Sequence, residues 1–468
     1  MRAIGGAGDL ARFLPYLPPL IVLGVGLALF SGSKAELILI FSASTATAFL
    51  APRLALYVLM AWLPFSFRYI LPFQAELQMP TEPITGVLAL VLGMRLLMRR
   101  LRGDVDEDRS FPLKYPVLLY IASLFASLVN TPDLYISAKG AVRATAYAML
   151  AFAFYDLIRS ERDLRLLFLS SVPPAAAAVI WTVVVLAKRL ELWRWTSSYW
   201  GTPFTNYSVY GSFVSVFLML MLSRLLFDRS SYDRISWGVL TAIFGVGLLF
   251  CFSRGVWVAA VLTAGAMLLH RSERSAPVKL AFLGGAALIA IALISIPGVF
   301  PALKDRVLSV FDMRFATNRM RLLRWGAAVM MFLRHPILGN GYGSFALLYR
   351  ESPEFLSEQL IKYKIGAHNE YLQTLSETGL LGFGAWMWAI VEFYRMGFRS
   401  LKELGEGRWS WLVVGIMAAE GALLIHFIFN NLMAADKIAI PFWGLYGLLP
   451  AVADMASKKV NAPAGRVP

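Results

Sequence analysis

The chain has 468 residues, of which 58% are hydrophobic and 16% charged, and its mean hydropathy is +0.63. Soluble domains carry about 25% charged residues, so this composition excludes a string of soluble domains and indicates one membrane domain over residues 1–468. The single cysteine, Cys251, excludes an internal disulfide and a cysteine-based metal cluster.

Repeated apolar runs predict an all-α, polytopic bundle of about 12–14 transmembrane helices, because lipid tolerates little except helices and closed barrels. The first run follows Arg2 and Arg12 and lacks a good cleavage site, so we expect a retained span rather than a signal peptide. The predicted spans are 14–30, 37–51, 54–71, 83–98, 114–129, 137–158, 164–187, 206–227, 235–252, 255–269, 278–297, 367–396, 409–431 and 437–455.

Basic residues follow every second predicted span from the fourth to the twelfth. By the positive-inside rule these exits and both termini face the cytoplasm, which puts residues 298–366 on the outer face as one long loop. The formal net charge of the chain is +15, and this loop is itself strongly basic. A positive outer surface suggests phosphates or lipid headgroups as partners, and a loop resting on anionic lipid is the alternative.

Within the long loop, residues 319–333 predict a short helix. At 100° per residue, Arg319 points to the same side as Met330, whereas Arg321 and Arg324 point roughly to the opposite side. Either Arg319 or the pair of Arg321 and Arg324 can therefore face a site, and the other side meets solvent or headgroups.

His368 opens a predicted span directly after this loop. The positive end of a helix dipole disfavours imidazolium, so His368 should be neutral and able to accept a proton near pH 7. Asn369 beside it can hold a sugar hydroxyl or a ring nitrogen, and a purely structural histidine is the alternative. Three other histidines are less well placed, in a basic turn, a loop and a span interior: His270, His335 and His426.

Further arginines lie near predicted outer ends of spans. Arg254 occupies a very short turn between two spans, where it either clamps an anion or reaches toward headgroups, and Gly255 allows close approach. Arg143 lies at the outer end of the sixth span and either contacts the anion or anchors the interface. Arg189, in a second outer loop, is a further candidate.

Two motif-like segments predict no chemistry of their own. Asp104-Val105-Asp106 resembles a metal-binding Asp-x-Asp motif but lies in a loop too short for a nucleotide site. The glycine-rich residues 339–343 lack a preceding strand and a following Gly-Lys-Ser/Thr, so we expect a turn-forming loop. Three acids in or near late spans form either structural pairs or part of the site: Glu392, Glu420 and Asp436.

His368-Asn369, followed after nine residues by Gly379 and after two more by Gly382, resembles the His-Asn-x9-Gly-x-x-Gly signature of bacterial O-antigen ligases. By their small size alone, the two glycines predict a close approach of membrane helices. The superfamily also includes O-antigen polymerases. Three other segments resemble its arginine motifs and its loop: Arg319-x3-Leu323, Ser253-Arg254-Gly255 and residues 335–345.

The resemblance implies a metal-independent, inverting glycosyltransferase without a cofactor, which uses an undecaprenyl-diphosphate-linked glycan at the periplasmic face of the bacterial inner membrane. His368 would be the catalytic base, and Arg254 and Arg319 would bind the diphosphate. The secondary candidates for substrate contact are Asn369, Arg143, Arg321 and Arg189.

The favoured acceptor is lipid A–core, which would make the protein a ligase. A second lipid-linked repeat unit as acceptor would make it a polymerase. Outside enzymes, the alternative is a carrier or flippase for lipid-linked oligosaccharide. Carriers usually show internal repeats and charges at the membrane midplane, whereas the basic residues here concentrate on one face. Membrane lipids are the other expected partners, and nucleic acid is not.

Overall fold

The computed structural model describes residues 46–47, 50–70, 76–102, 110–188, 199, 201–204, 206–227, 234–270, 316–351, 366–405 and 409–460, with the backbone alone at 70, 97–102, 270, 316–319, 351 and 458–460. Along these residues the chain forms thirteen α-helices and one pair of short strands, which confirms the all-α class. The helices are α1 Pro52–Trp62, α2 Thr81–Arg102, α3 Lys114–Ala126, α4 Leu134–Leu157, α5 Glu161–Ala187, α6 Tyr207–Phe227, α7 Arg234–Leu249, α8 Arg254–His270, α9 Ala316–Arg334, α10 Phe345–Glu351, α11 Glu370–Leu404, α12 Ser410–Phe427 and α13 Asp436–Val460.

Each predicted span between 83 and 269, and each between 367 and 455, overlaps one of these helices over most of its length. Four of the described helices are long and apolar enough to cross a membrane, namely α5, α6, α12 and most of α13. The chain is therefore a multi-pass membrane protein. The runs 14–30 and 278–297, and most of 37–51, lie outside the described residues, so the total number of spans stays a prediction.

The predicted span 54–71 is wrong in its second half. Helix α1 ends at Trp62, and a single 3-10 turn follows. Pro64 lies in this turn and cannot donate the hydrogen bond that a continuing helix needs. The chain then forms β1 (Phe67–Ile70), which pairs antiparallel with β2 (Glu76–Met79).

Small residues let the long helices approach closely. On α13, added side-chain atoms at Gly444 and Gly447 would meet Phe154 and the Ala151 carbonyl of α4. Helix α6 is buried along most of its length between α7, α8 and α12. Because lipid is as apolar as these side chains, close backbone packing of this kind replaces much of the hydrophobic drive.

Helix α11 breaks at Gly379, whose φ of 63° and ψ of −166° are not helical. The loop between α9 and α10 docks into the break, since the Leu380 amide donates to the Pro336 carbonyl (2.8 Å) and the Gly341 amide to the Glu377 carbonyl (3.0 Å). A side chain at position 379 would collide with this loop. The break therefore ties α9 to the first turns of α11.

The two glycines of the sequence signature have different roles. Gly382 packs against Ser123 of α3, which confirms the predicted close approach of two helices. Gly379 accommodates the docked loop instead. A positive φ is a conformation that glycine adopts without strain, and the sequence pattern did not separate it from simple packing.

The glycine-rich loop is a turn-forming connection, as the sequence predicts. Gly339, Gly341 and Gly343 all have positive φ angles, of 74°, 96° and 81°. The backbone amide of Phe345, just after this loop, donates to a Glu377 carboxylate oxygen at 3.2 Å. The backbone amides of Gly341 and Phe345 thus both donate to Glu377 of α11.

Candidate functional site

His368 lies immediately before α11. Its backbone has a φ of 52°, which is uncommon for a residue other than glycine and costs conformational energy. The His368 amide donates to Asn431 Oδ1 at 3.0 Å, a contact that helps to hold this conformation. Asn369 is the N-cap of α11, and its Oδ1 accepts from the Leu372 amide at 3.0 Å. This oxygen therefore already caps the helix. The predicted contact of Asn369 with a sugar stays a prediction.

A row of four polar side chains runs from His368 into the bundle, and we call it the His368 row. His368 Nδ1 lies 3.3 Å from Asn430 Oδ1, and Asn430 Nδ2 lies 2.9 Å from His426 Nε2. His426 Nδ1 in turn lies 2.5 Å from Ser212 Oγ on α6. Asn430, His426 and Ser212 are all buried. The row joins the start of α11 to α6 and α12.

Two arginines of α9 act on this row. Arg324 is only 9% exposed, and both Arg324 and Arg321 act electrostatically on His368. Burial and, to a smaller extent, the positive charges of Arg324 and Arg321 together lower the pKa of His368 to about 4. This lowered pKa agrees with the neutral state expected from the sequence, and its causes are burial and the two arginines.

The exposure pattern of α9 shows which side faces the protein. Arg324 shares the buried side with Ala327 and Ala328. Leu323 and Met330, on the side to which the helical projection assigns Arg319, are 38% and 40% exposed. Of the two alternatives left open by the sequence, the structure brings the pair of Arg321 and Arg324 to His368. The side chain of Arg319 lies outside the described residues.

The start of α8 also lies against the row. An atom added at Gly255 would come within 3.0 Å of the His426 ring and 3.1 Å of Phe429. Two side chains, His426 and Phe429, approach Gly255 closely, whereas the predicted approach of backbone or ligand at this position stays a prediction. Arg254, half-buried, is the first residue of α8. Its segment is therefore adjacent to the row, and its contact with a ligand stays a prediction.

Arg143 belongs to a different set of polar residues, which we call the Arg143 cluster. Arg143 forms an ion pair with Glu82 at 3.0 Å. The Tyr147 hydroxyl donates to the same carboxylate at 3.1 Å, and Thr81 donates to Asp436 at 2.6 Å. The positive charge of Arg143 is thus already balanced by the buried carboxylate of Glu82.

The remaining candidates divide as follows. Glu392 forms an exposed pair with Arg395 at 3.1 Å, which is the structural alternative. Glu420 is fully buried within α12, and Asp436 belongs to the Arg143 cluster. His335 is exposed at the end of α9. Arg189 and residues 104–106 lie outside the described residues.

Sequence reasoning missed His426, Asn430 and Asn431 as site residues, and it set Arg324 aside. His426 and Asn430 are four residues apart within the predicted span 409–431, and this spacing was a readable signal because it predicts one helical face, although Asn430 lies in the loop after α12. A polar residue within an apolar span is costly and usually functional, and this was a second signal. The loop that carries the asparagines is fixed by Glu370, whose carboxylate accepts from the backbone amides of Leu432 and Met433.

The arrangement combines the neutral, half-buried imidazole of His368 with two guanidinium groups that act on it. Such a site can accept a proton while it holds an anion. Among the described residues, no group of three or more His, Cys, Asp and Glu side chains has an arrangement that would hold a metal ion.

Comparison with known families gives a match in the second half of the chain. Residues 239–387 match the family described as O-antigen ligase, and this match supports the O-antigen ligase superfamily for the chain. The matched segment includes Arg254, Arg321, Arg324 and His368, and it ends before Asn430. No match is found among curated proteins.

Proposed function

We propose that the protein is a membrane glycosyltransferase, and the match of residues 239–387 to the O-antigen ligase family supports this proposal. It transfers a glycan from undecaprenyl diphosphate to an acceptor hydroxyl, at the periplasmic face of the inner membrane. Lipid A–core is the proposed acceptor. In this orientation residues 298–366 form the large periplasmic loop, and α9 and α10 are its helices.

One observation carries this proposal, which is the convergence of Arg321 and Arg324 on a half-buried, neutral His368. The arginines supply positive charge for a diphosphate, and the histidine supplies a base for a hydroxyl. Both groups lie in the segment that matches the family.

The transfer step needs a base and a stabilised leaving group. In the proposed step, the acceptor hydroxyl gives its proton to His368 as its oxygen forms a bond to the anomeric carbon. The bond between that carbon and the diphosphate oxygen breaks, and its electron pair leaves on the diphosphate. Attack from the side opposite the leaving group inverts the anomeric centre. The energy resides in the glycosyl–phosphate bond, so no nucleotide is consumed.

The arginines have two effects in this scheme. Their planar guanidinium groups can each bind paired phosphate oxygens, which a lysine cannot match. They also stabilise the negative charge that grows on the leaving diphosphate. When the donor is bound, its charge offsets that of the arginines, so His368 becomes a stronger base. Arg254 and Arg319 remain proposed members of this clamp on the strength of their motifs.

Because arginines can supply the positive charge that a metal ion provides in other transferases, we expect transfer to need no divalent ion. The measurement is transfer in excess EDTA, with and without added Mg²⁺. Loss of activity in EDTA and recovery with Mg²⁺ would contradict the metal-free scheme.

The test of the proposed function is reconstitution. Purified protein in nanodiscs is given lipid-linked glycan and either lipid A–core or a second lipid-linked unit. Glycan on lipid A–core identifies a ligase, and longer lipid-linked glycan identifies a polymerase. In proteoliposomes, movement of the donor across the bilayer without new glycosidic bonds would identify a carrier and contradict the proposal.

A further inference from the structure

The hydrogen bonds of the His368 row bear on which nitrogen of His368 is the base. We propose that Asn430 is a positioning residue that keeps the proton of neutral His368 on Nδ1 and leaves Nε2 as the base. This inference rests on the proposed function, because it assumes that His368 takes the proton of the acceptor.

The first step of the argument is the contact between His368 Nδ1 and Asn430 Oδ1, at 3.3 Å. An amide oxygen can only accept a hydrogen bond. Nδ1 must therefore carry the proton, and the lone pair of the neutral ring is on Nε2.

The second step follows the row inward. Asn430 Nδ2 is a donor, so it donates to His426 Nε2 at 2.9 Å, and His426 Nδ1 then carries a proton toward Ser212 Oγ. From His368 to Ser212, every donor in the row points away from His368. Hydrogen bonds aligned in this way polarise one another. The row therefore stabilises the positive charge that His368 gains when it accepts a proton.

The third step explains why an amide rather than a carboxylate holds the ring. In many hydrolases an aspartate orients the catalytic histidine. Here Arg321 and Arg324 act on the same histidine and are proposed to bind a diphosphate. A carboxylate at position 430 would compete with the diphosphate for these charges and repel it. A neutral asparagine orients the ring without this competition.

The backbone supports the same assignment. Asn431, the next residue, accepts from the His368 amide at 3.0 Å and holds its positive φ. The two neighbouring asparagines thus fix the ring and the backbone of one histidine. A strained conformation that is held by specific contacts is typical of functional sites.

The kinetic test replaces Asn430 in the full-length protein. Asn430→Ala should lower kcat roughly 10- to 100-fold and leave the KM for the donor lipid nearly unchanged, since the ring loses its orientation but the arginines remain. The contrasting control is Asn340→Ala. Asn340 is also buried but lies outside the row, and its donations to the Met331 and Ser376 carbonyls hold the docked loop between α9 and α11. This control should raise the KM for the donor lipid and leave kcat nearly unchanged.

Asn430→Asp tests the pH profile of kcat/KM, which would not change if Asn430 had only a structural role. A carboxylate facing Nδ1 favours the imidazolium, so the acidic limb of kcat/KM should shift to higher pH, and the KM for the anionic donor should rise. The Asn340→Ala control should show the wild-type pH profile. A wild-type profile in Asn430→Asp would overturn the inference.

A spectroscopic test needs no activity. The chain has four histidines, so ¹⁵N-histidine labelling gives few signals, and His368→Gln assigns the one in question. We expect neutral His368 to be protonated on Nδ1 and bare on Nε2. The opposite tautomer would overturn the inference even if Asn430→Ala fails to fold.

The outcomes separate this inference from the proposed function. Full activity in His368→Ala would contradict the proposed function. An inactive His368→Ala, together with wild-type kcat in Asn430→Ala, would contradict only the role of Asn430.

Discussion

Two polar regions of this protein hold their arginines in different ways. In the Arg143 cluster, a guanidinium meets a buried carboxylate at 3.0 Å, and a tyrosine hydroxyl completes the set. Near the His368 row, Arg321 and Arg324 lie beside an imidazole that stays neutral. The first region pairs its guanidinium with a buried carboxylate, whereas the second sets two guanidinium groups near a neutral base, an arrangement that suits an anionic ligand. The comparison teaches that the partner of an arginine, rather than its position near a span end, indicates its role.

The largest expected effect is the loss of His368. His368→Ala should lower turnover by roughly 10²- to 10⁴-fold, because a general base contributes that much to proton transfer. His335→Ala is the control, since His335 is exposed at the end of α9. Turnover is measured in nanodiscs, with thermal unfolding as the check of folding. Near wild-type turnover of His368→Ala would remove it from the mechanism.

The next effect concerns the arginines of α9. Arg321→Lys and Arg324→Lys should each weaken donor binding or transfer roughly 10- to 150-fold, as a lost charge-assisted contact costs about 1.5–3 kcal/mol. Arg319→Lys is measured beside them, because the sequence motif ranks Arg319 first. If Arg319→Lys is crippled while the other two are active, the donor binds on the opposite side of α9.

A smaller effect is expected from the break in α11. Gly379→Ala forces a side chain into a backbone with positive φ and against the docked loop, at a cost of about 1–3 kcal/mol for the strain alone. Since this loop ties α9 to α11, donor binding should weaken together with thermal stability. Gly384→Ala is the control, because nothing lies within 4 Å of its added atom. Equal behaviour of the two variants would show that the break does not position α9.

The Arg143 cluster should respond in stability rather than turnover. Arg143→Gln leaves the Glu82 carboxylate buried without its cation, which should cost roughly 2–3 kcal/mol. The double variant with Glu82→Gln should recover part of this loss. Turnover per folded molecule should stay near the wild-type value in both. A specific rise in donor KM for Arg143→Gln would instead place Arg143 in the clamp.

The smallest effect is a pH dependence. The pKa of His368 is lowered to about 4, so the ring stays neutral between pH 7 and pH 5 and kcat/KM should be nearly flat there. Below pH 4 the base becomes protonated, and the rate should fall about tenfold per pH unit. The measurement is the pH profile of kcat/KM for the donor. A limb near the ordinary histidine value of about 6.5 would show that His368 is not buried beside these arginines.

Much of the fold was predictable, because each span is a local apolar run. The end of α1 at Trp62 was not predictable, because a single proline and an alternating strand pattern are embedded in an apolar sequence. His368 and Gly255 were predicted from a signature and from a glycine beside an arginine. The side of α9 that faces the protein depends on packing against α11, which the helical projection cannot supply.

The other residues of the His368 row could not be predicted from single segments of the sequence. Asn430 is 62 positions from His368, and Ser212 is 214 positions from His426. Contacts at such distances depend on how α6, α8 and α12 pack, which no local pattern encodes. His426 was set aside because it lies in a span, although a polar residue there is a functional signal in its own right.

The central claim is that the arginines bind the donor and His368 acts only in the chemical step. The most direct measurement is single-turnover transfer with the donor bound before the acceptor is added, in wild type, His368→Ala and Arg324→Lys. We expect His368→Ala to bind the donor lipid with wild-type affinity and to form almost no product. Arg324→Lys should bind it poorly and still transfer the fraction that it binds, although more slowly than wild type because the leaving diphosphate is stabilised less well. Weak donor binding by His368→Ala together with normal transfer of the bound fraction would contradict the claim.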